Sequence, residues 1–275
     1  TRADTVRPIV DDLTMYNGEL VAAGGFTFAG GVPANLVARW DGASWHAFGS
    51  GIGGISPSTD RVYAVTTFQE KLIVAGSFTT AGGQPAANIA AWNGTGWETL
   101  GSGIAGQVNN TTVYGLCVYG DELIVGGSFT SAGGIPASGL ARWNGVAWST
   151  FGSGPARTSG SPFVYQSRSI DGNLYIVGGF NSVNGVSANN IARWNGTTWQ
   201  GLASGLNNAA YSVSAFRGEV LAGGSFSAAG DRVSAYLARW TETALPTIAL
   251  QPQDQSGAVN ASVTLTARAA SGYQG

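Results

Sequence analysis

Apolar residues along this chain gather in short runs that end on an aromatic. VYAVTTF (Val62–Phe68) and KLIVAGSF (Lys71–Phe78) lie two residues apart. Each has the length and β-branched content of a strand, and neither shows the 3.6-residue spacing of an amphipathic helix. Two more runs follow, Asn88–Trp92 and Trp97–Gly101, joined through Asn93-Gly94. Four short runs linked by tight turns within about 50 residues predict one four-stranded antiparallel sheet.

The unit recurs. Its second run ends at Phe26, Phe78, Phe129, Phe180 and Phe226, so the steps are 52, 51, 51 and 46 residues. The tryptophan closing the third run falls at Trp40, Trp92, Trp143, Trp194 and Trp240, with the same steps. A fixed period of this size denotes an array of one supersecondary unit. Asn17-Gly18 and Asp171-Gly172 separate runs one and two, while Asp41-Gly42, Asn93-Gly94, Asn144-Gly145 and Asn195-Gly196 separate runs three and four. Such pairs supply the positive φ angles of type I′ hairpins, expected here at both places. The pattern predicts an all-β, five-bladed β-propeller of four-stranded antiparallel blades with essentially no helix. The blades fall at about 9–51, 61–103, 112–154, 163–205 and 209–250.

An apolar strand ending in Gly-Gly or Gly-Ser, a second aromatic-bearing strand and a Trp opening the fourth resemble the kelch-type blade. IVAGSFTTAGG, IARWNGTTW and LGSG are closer still to repeats of secreted bacterial propeller proteins. More distantly, they are similar to repeats of fungal cell-surface polarity-marker proteins. The resemblance implies a fold and an extracellular or cell-surface setting; it implies no shared activity, because propellers host many functions.

Minimal hairpins clip one face of the predicted disc short. The other carries the connections at 27–35, 79–87, 130–138, 181–189 and 227–235, plus blade-to-blade links that differ in sequence, such as GIGGISPSTDR and GPARTSGSP. Function on a rigid scaffold is usually carried by loops, so this long-loop face is the expected contact surface. The fifth repeat lacks the second Trp; counting from Trp240 places Leu245 and Ile248 in register, and Pro246 is tolerable on an edge strand. We therefore expect 245–250 to complete the fifth blade and the ring to close by packing of first blade on last. The rival arrangement uses residues 1–8 as that outer strand. Residues 251–275 resemble the opening strands of a bacterial immunoglobulin-like domain, with ASVTLTA alternating as one strand.

Composition narrows the function. Only 10% of residues are charged and the net charge is −2; one lysine, Lys71, accompanies twelve scattered arginines. Nucleic-acid binders concentrate Lys and Arg against phosphates, and no such patch is visible. No apolar run approaches the roughly 18 residues of a membrane helix. Low charge with 43 glycines set in repeat turns suits an extracellular β-protein. Thr1 opens the sequence without Met or a signal-like segment, as expected of a processed or excised fragment.

Catalysis finds little to work with, and no enzyme activity, cofactor or metal is expected. His46 is the only histidine and aligns with Glu98, Ser149 and Gln200, ordinary strand positions. Cys117, the only cysteine, aligns with Thr14, Thr66, Arg168 and Ser214 and reads as a buried small residue. Neither a zinc ligand cluster nor a calcium loop is spelled out, and the Gly-x-Gly stretches precede no helix. The nine tryptophans occupy two fixed repeat positions, which makes them inter-blade core rather than sugar-stacking platforms. Arg39, Arg142, Arg193 and Arg239 precede the Trp of the third run and are expected to pack over a neighbouring strand or loop.

Departures from the repeat are the informative positions. The first run carries Tyr63, Tyr114, Tyr165 and Tyr211 at one place, where the first blade has Asp11 followed by Asp12. In kelch-like propellers the first strand is innermost, so these charges and Arg168 would lie near a hydrated channel. Asp231 and Arg232 break the last long loop. Together with Asp60, Arg61, Asn109, Asn110, Arg157 and Asn189 they form the candidate ligand-contact set on the long-loop face and channel mouth. Sequons at Asn93, Asn109, Asn110, Asn195 and Asn260 matter only in a eukaryotic secretory host. The expected function is a secreted or cell-surface scaffold for adhesion, assembly or protein recognition. The alternative is a carbohydrate-binding lectin with repeated pockets.

Overall fold

A computed structural model describes residues 8–56, 59–106 and 111–240. All regular structure among them is β, as the repeat predicts, and the fold is a β-propeller. Four blades are complete meanders in the order of the chain, strand one at one edge and strand four at the other. Their first strands are Ile9–Tyr16, Arg61–Phe68, Thr112–Tyr119 and Phe163–Ile170. Second strands run Glu19–Gly25, Lys71–Ser77, Glu122–Ser128 and Asn173–Gly179, and third strands Val37–Trp40, Ile89–Trp92, Leu140–Trp143 and Ile191–Trp194. Fourth strands are short, as at Trp97–Glu98 and Trp148–Ser149. A fifth sheet contains Ala210–Phe216, Glu219–Gly224 and Leu237–Trp240. The strand expected at 245–250, the rival strand at 1–8 (bar Pro8) and the immunoglobulin-like stretch lie outside the described residues.

Consecutive first strands pack side by side from blade to blade, which puts them innermost. The core is accordingly built between blades. Tyr16, Val21, Val37 and Phe48 of the first blade meet Val62, Val65, Leu72 and Val74 of the second in one buried cluster. The same positions recur at the next junctions, for example Phe68, Ile73 and Ile89 against Val113, Leu123 and Val125. Alternation along each strand thus feeds one side chain to the blade before and the next to the blade after.

Each long connection is more ordered than a loop. Thr80–Ala81 and Gln84–Pro85 form a ribbon, and Ile52–Gly53 of the preceding link adds a third strand to it. Ile104–Ala105 and Pro155–Ala156 do the same for the third and fourth blades, and Leu206 bridges Ala229 in the fifth. In the first blade the ribbon of Phe28–Ala29 and Val32–Pro33 is two-stranded. The glycine at the head of each link makes this possible: Gly51 has φ +77°, and a Cβ there would lie 2.6 Å from the Asn35 carbonyl oxygen. The long-loop face is therefore tiled by sheet, and much of it is structural rather than free for contact.

Two sequence expectations need correction. Asn17-Gly18 and Asp171-Gly172 do have paired positive φ angles, as do Gln69-Glu70 and Arg217-Gly218. At the second hairpin only the glycine does; Asp41, Asn93, Asn144 and Asn195 keep negative φ. There the side chain shapes the turn instead: Asn93 Oδ1 accepts the N–H groups of Thr95 and Gly96, each at 2.9 Å. These are side-chain-closed turns rather than type I′ ones.

The second correction concerns closure. Blade one and blade five do not share the first-strand packing seen at every other junction. On the first blade Val10 is 57% and Leu13 55% exposed, whereas their repeat equivalents Val62 and Val65 are buried. Among the described residues the propeller is an open arc.

Candidate functional site

The inner strands carry one feature that the sequence pattern does not announce. Every first strand slips by one residue against its second strand, between Val10 and Asp12, Val62 and Ala64, Val113 and Gly115, Val164 and Gln166, and Ala210 and Ser212. The residue left unpaired in each bulge is Asp11, Tyr63, Tyr114, Tyr165 and Tyr211 in turn. A bulge re-aims its extra side chain, and here it aligns the tyrosines. Ring centroids lie 5.7 Å apart between Tyr63 and Tyr114, 5.1 Å between Tyr114 and Tyr165, and 5.3 Å between Tyr165 and Tyr211. Tilted and edge-on contacts of this kind are favourable for aromatic quadrupoles. The bulge also explains the repeated glycine of the second strand. A Cβ on Gly76 would sit 2.0 Å from the Arg61 carbonyl oxygen, and Gly24, Gly127 and Gly178 face equivalent carbonyls at 2.0–2.2 Å.

The tyrosines sit near the start of each first strand, hence at the channel mouth on the long-loop side. Phe163 joins Tyr165 at 4.8 Å, and the Arg157 guanidinium lies 5.4 Å above the Phe163 ring. Where the first blade replaces Tyr by Asp11, Arg61 of the next blade closes on it in a fork, Nε to Oδ2 at 2.6 Å and Nη2 to Oδ1 at 2.5 Å. The same guanidinium lies 5.0 Å from the Tyr63 ring centre. Its hydrogen bond to Asp11 holds the Arg61 charge more firmly than usual. Burial pushes the Tyr114 and Tyr165 phenols above their ordinary range, so they stay neutral. The mouth is thus an aromatic strip bordered by two arginines.

The remaining candidates divide. Asp12 Oδ2 accepts the Val65 N–H across the first junction at 2.9 Å, and Gln166 Oε1 accepts the Val213 N–H across the fourth at 2.6 Å. Both satisfy an inner-edge N–H that no strand reaches. Asp60 is buried and holds the Ile55 N–H at 3.1 and 3.2 Å, a structural duty in the link. Asn189 bonds the Ser204 carbonyl at 3.0 Å, and Asp231 receives the Ser204 hydroxyl at 3.3 Å, away from the mouth. Arg168 and Arg232 are exposed, the former on the inner strand and the latter in the last ribbon. Asn109 and Asn110 lie outside the described residues. Asp11, Arg61, Arg157 and the tyrosines are the ones the fold brings together.

The arginines of the third strands pair within their own blades, Arg39 with Glu19 at 2.7 Å, Arg142 with Glu122 at 3.1 Å and Arg239 with Glu219 at 3.0 Å. In the second blade Ala91 removes the arginine, Lys71 stands at the glutamate position, and Glu98 pairs with it at 2.6 Å. Arg193, facing Asn173 in place of glutamate, bonds Gln200. The tryptophans pack at the outer end of each junction: Trp143 and Trp148 meet tilted with ring centres 5.2 Å apart, and Trp148 donates to the Leu100 carbonyl of the blade before at 2.7 Å. His46 sits on an outer strand 2.7 Å from Asp41, whose carboxyl is held well below its usual range by the Ser44 and Ala43 N–H groups and by His46. Burial pushes the Cys117 thiol up to about 11, leaving it protonated at neutral pH. Among the described residues no three His, Cys, Asp or Glu side chains gather into a metal-sized group, and no helix is long and apolar enough to cross a membrane.

Comparison with known proteins agrees with the fold. A family model described as "Domain of unknown function (DUF5122) beta-propeller" matches residues 71–90 and 171–196. No curated protein matches the chain significantly. Two crystal structures of the extracellular domain of a two-component-type or one-component-type system from B. thetaiotaomicron align with TM-scores of 0.50 and 0.51. They share 14% and 15% identity, with 87% of this chain and 27% of theirs covered. The computationally designed protein Ika8 aligns at TM-score 0.49 and 12% identity, over 84% of this chain and 58% of that one. This chain therefore spans well under two thirds of the structures it resembles.

Proposed function

We propose that this propeller is a non-catalytic recognition scaffold of the cell exterior, and that its contact surface is the aromatic strip at the channel mouth. The observation that carries the reading is the alignment of Tyr63, Tyr114, Tyr165 and Tyr211 on bulges of successive blades. A bulge in every blade fixes the ring positions, so the strip is ordered before a ligand arrives, and pre-organised aromatics with flanking arginine are the residue types that dominate interfaces. Low charge, the resemblance to secreted repeats and the extracellular origin of the B. thetaiotaomicron domains support an exterior setting. Protein recognition, adhesion or assembly is the favoured use. A carbohydrate ligand is the second reading, favoured by the open ring of Tyr211 at one end of the strip and the Asp11–Arg61 fork at the other; ring faces stack on sugars and the fork offers donors and acceptors to hydroxyls.

The test compares wild type with a Tyr114→Ala/Tyr165→Ala variant on a glycan array and on a displayed peptide library, after confirming equal melting temperatures. Binders on either platform that the variant loses support the reading, and the platform names the ligand class. Binders held equally by both proteins would overturn the placement of the site.

A further inference from the structure

The two ends of the arc are unmatched halves of the junction that holds every other blade pair together. At each internal junction the earlier blade offers the large residue ending its first strand and the apolar opening of its third strand. Tyr16 with Val37, Phe68 with Ile89 and Ile170 with Ile191 fill these places and are buried. The later blade offers two first-strand positions, Val62 with Val65 at the first junction and Ala210 with Val213 at the fourth, again buried, while at the third junction Ser167 stands beside Val164. At the arc's trailing end the same positions are Phe216, 55% exposed, and Leu237, 54% exposed, with Tyr236 open beside them. At its leading end they are Val10 and Leu13, with Met15 also exposed. Contiguous open apolar surface of this kind marks an interaction site.

We propose that a second copy of this chain docks head to tail, its leading blade seated on the trailing blade of the first. The argument is continuity with an interface already present four times in the molecule. Each end displays the residue types that its opposite end is built to receive, and two leading or two trailing faces would not reproduce that match. At the trailing end Arg239 is already paired with Glu219 and the Arg217 guanidinium lies 5.1 Å from the Phe216 ring centre, while at the leading end Asp11 is paired with Arg61. The contact is heterologous, so it yields a closed ring if the rotation permits and a longer chain of copies if it does not.

Light scattering across a concentration series reads the outcome. Wild type is expected to rise from the monomer mass to at least twice that mass as concentration increases. Val10→Asp/Leu13→Asp removes the leading face and Phe216→Asp/Leu237→Asp the trailing face. Circular dichroism should show both folded, because all four side chains are exposed. Each variant alone should stay monomeric at every concentration. Mixed in equal amounts they should form a two-chain species and nothing larger, since one intact face of each kind remains. A wild type that stays monomeric overturns the proposal, whether because residues 1–7 or 241–275 of the same chain cover the ends or because nothing does. A single variant that still pairs with itself overturns the head-to-tail geometry. Neither result bears on the tyrosine strip, which lies within the arc.

Discussion

Asp12 shows how a single position can look like chemistry and serve architecture. Its Oδ1 and Oδ2 accept the N–H groups of Leu13 and Val65, both at 2.9 Å, and the second bond crosses a blade junction. Burial raises its pKa above the ordinary 3.8, with neighbouring Asp11 adding to the effect, against the downward pull of the two bonds. The folded protein therefore holds this proton more tightly than the unfolded chain. Stability from this group is greatest below the ordinary value and falls as pH rises through the raised one. Asp12→Asn removes that titration while keeping an acceptor for Val65. In urea melts at a series of pH values, the asparagine variant should gain on wild type as pH rises through this window and match or exceed it at neutrality. Asp12→Ala leaves the Val65 N–H unmet and should be less stable than Asp12→Asn by about 1 kcal/mol at any pH. A wild type that gains on Asp12→Asn with rising pH would show the carboxylate to be stabilised, and the account of it as a desolvated junction bond would fail.

The blade was legible because its signals are local. Run lengths, the Trp and Phe period and the Gly-containing turns report backbone preferences within a few residues, and the strands fall where they indicate. The bulge was not legible, because it is a register slip between two strands and only their pairing reveals it. Tyr63, Tyr114, Tyr165 and Tyr211 stand out in the sequence as a repeated letter, but nothing in the letters says that a slipped residue turns toward its neighbours. One signal was available: the glycine after the apolar core of the second strand, Gly24, Gly76, Gly127, Gly178 and Gly224, never varies between blades although a strand interior disfavours glycine. The internal charge exchange was readable in the same way, since Ala91 and Lys71 depart from the repeat together. Asn-Gly serves both turn types and loop length decides between them, so the pair alone does not distinguish the Asx-closed turn from type I′. Glycine substitution tests the bulge directly. Gly76→Ala forces a methyl against the Arg61 carbonyl and should cost about 3 kcal/mol in a thermal or urea melt. Gly96→Ala, where a Cβ meets open space at ordinary φ, should stay within about 0.5 kcal/mol. Similar losses at both sites would mean that the bulge does not set the glycine.

At the scale of the molecule, a core made between blades has a consequence for how stability is distributed. Each blade contributes one side chain in two to either neighbour, so an internal blade is held from both sides and an end blade from one. Arrays of this kind behave as nearly one-dimensional systems in which stability sums over repeats and their interfaces, and the ends fray first. The first strand of the first blade, Ile9–Tyr16, makes its ladder with Glu19–Gly25 in the same register as its counterparts. Its hydrogen bonds alone give no reason for weakness; what it lacks is the apolar cover that Arg61–Phe68 receives from the blade before it. Leu13 stands opposite Ala22 and Val65 opposite Val74, equivalent places in the two blades, and both N–H groups donate to Asp12, that of Leu13 to Oδ1 and that of Val65 to Oδ2. Native-state hydrogen exchange in dilute protein, where copies are apart, isolates the difference. In Val62–Phe68 and Val113–Tyr119 the amides that face the second strand should exchange only through global opening, while their counterparts in Val10–Tyr16 and Ser212–Phe216 should exchange faster by at least tenfold, the factor that about 1.4 kcal/mol of lost packing produces. Raising the protein concentration should slow exchange at both ends together and leave the central blades unchanged, because one docking event covers a leading and a trailing face at once. Equal protection of these amides in the first and second blades in dilute solution would mean that the first blade is already covered, and that the arc is closed by the chain's own residues.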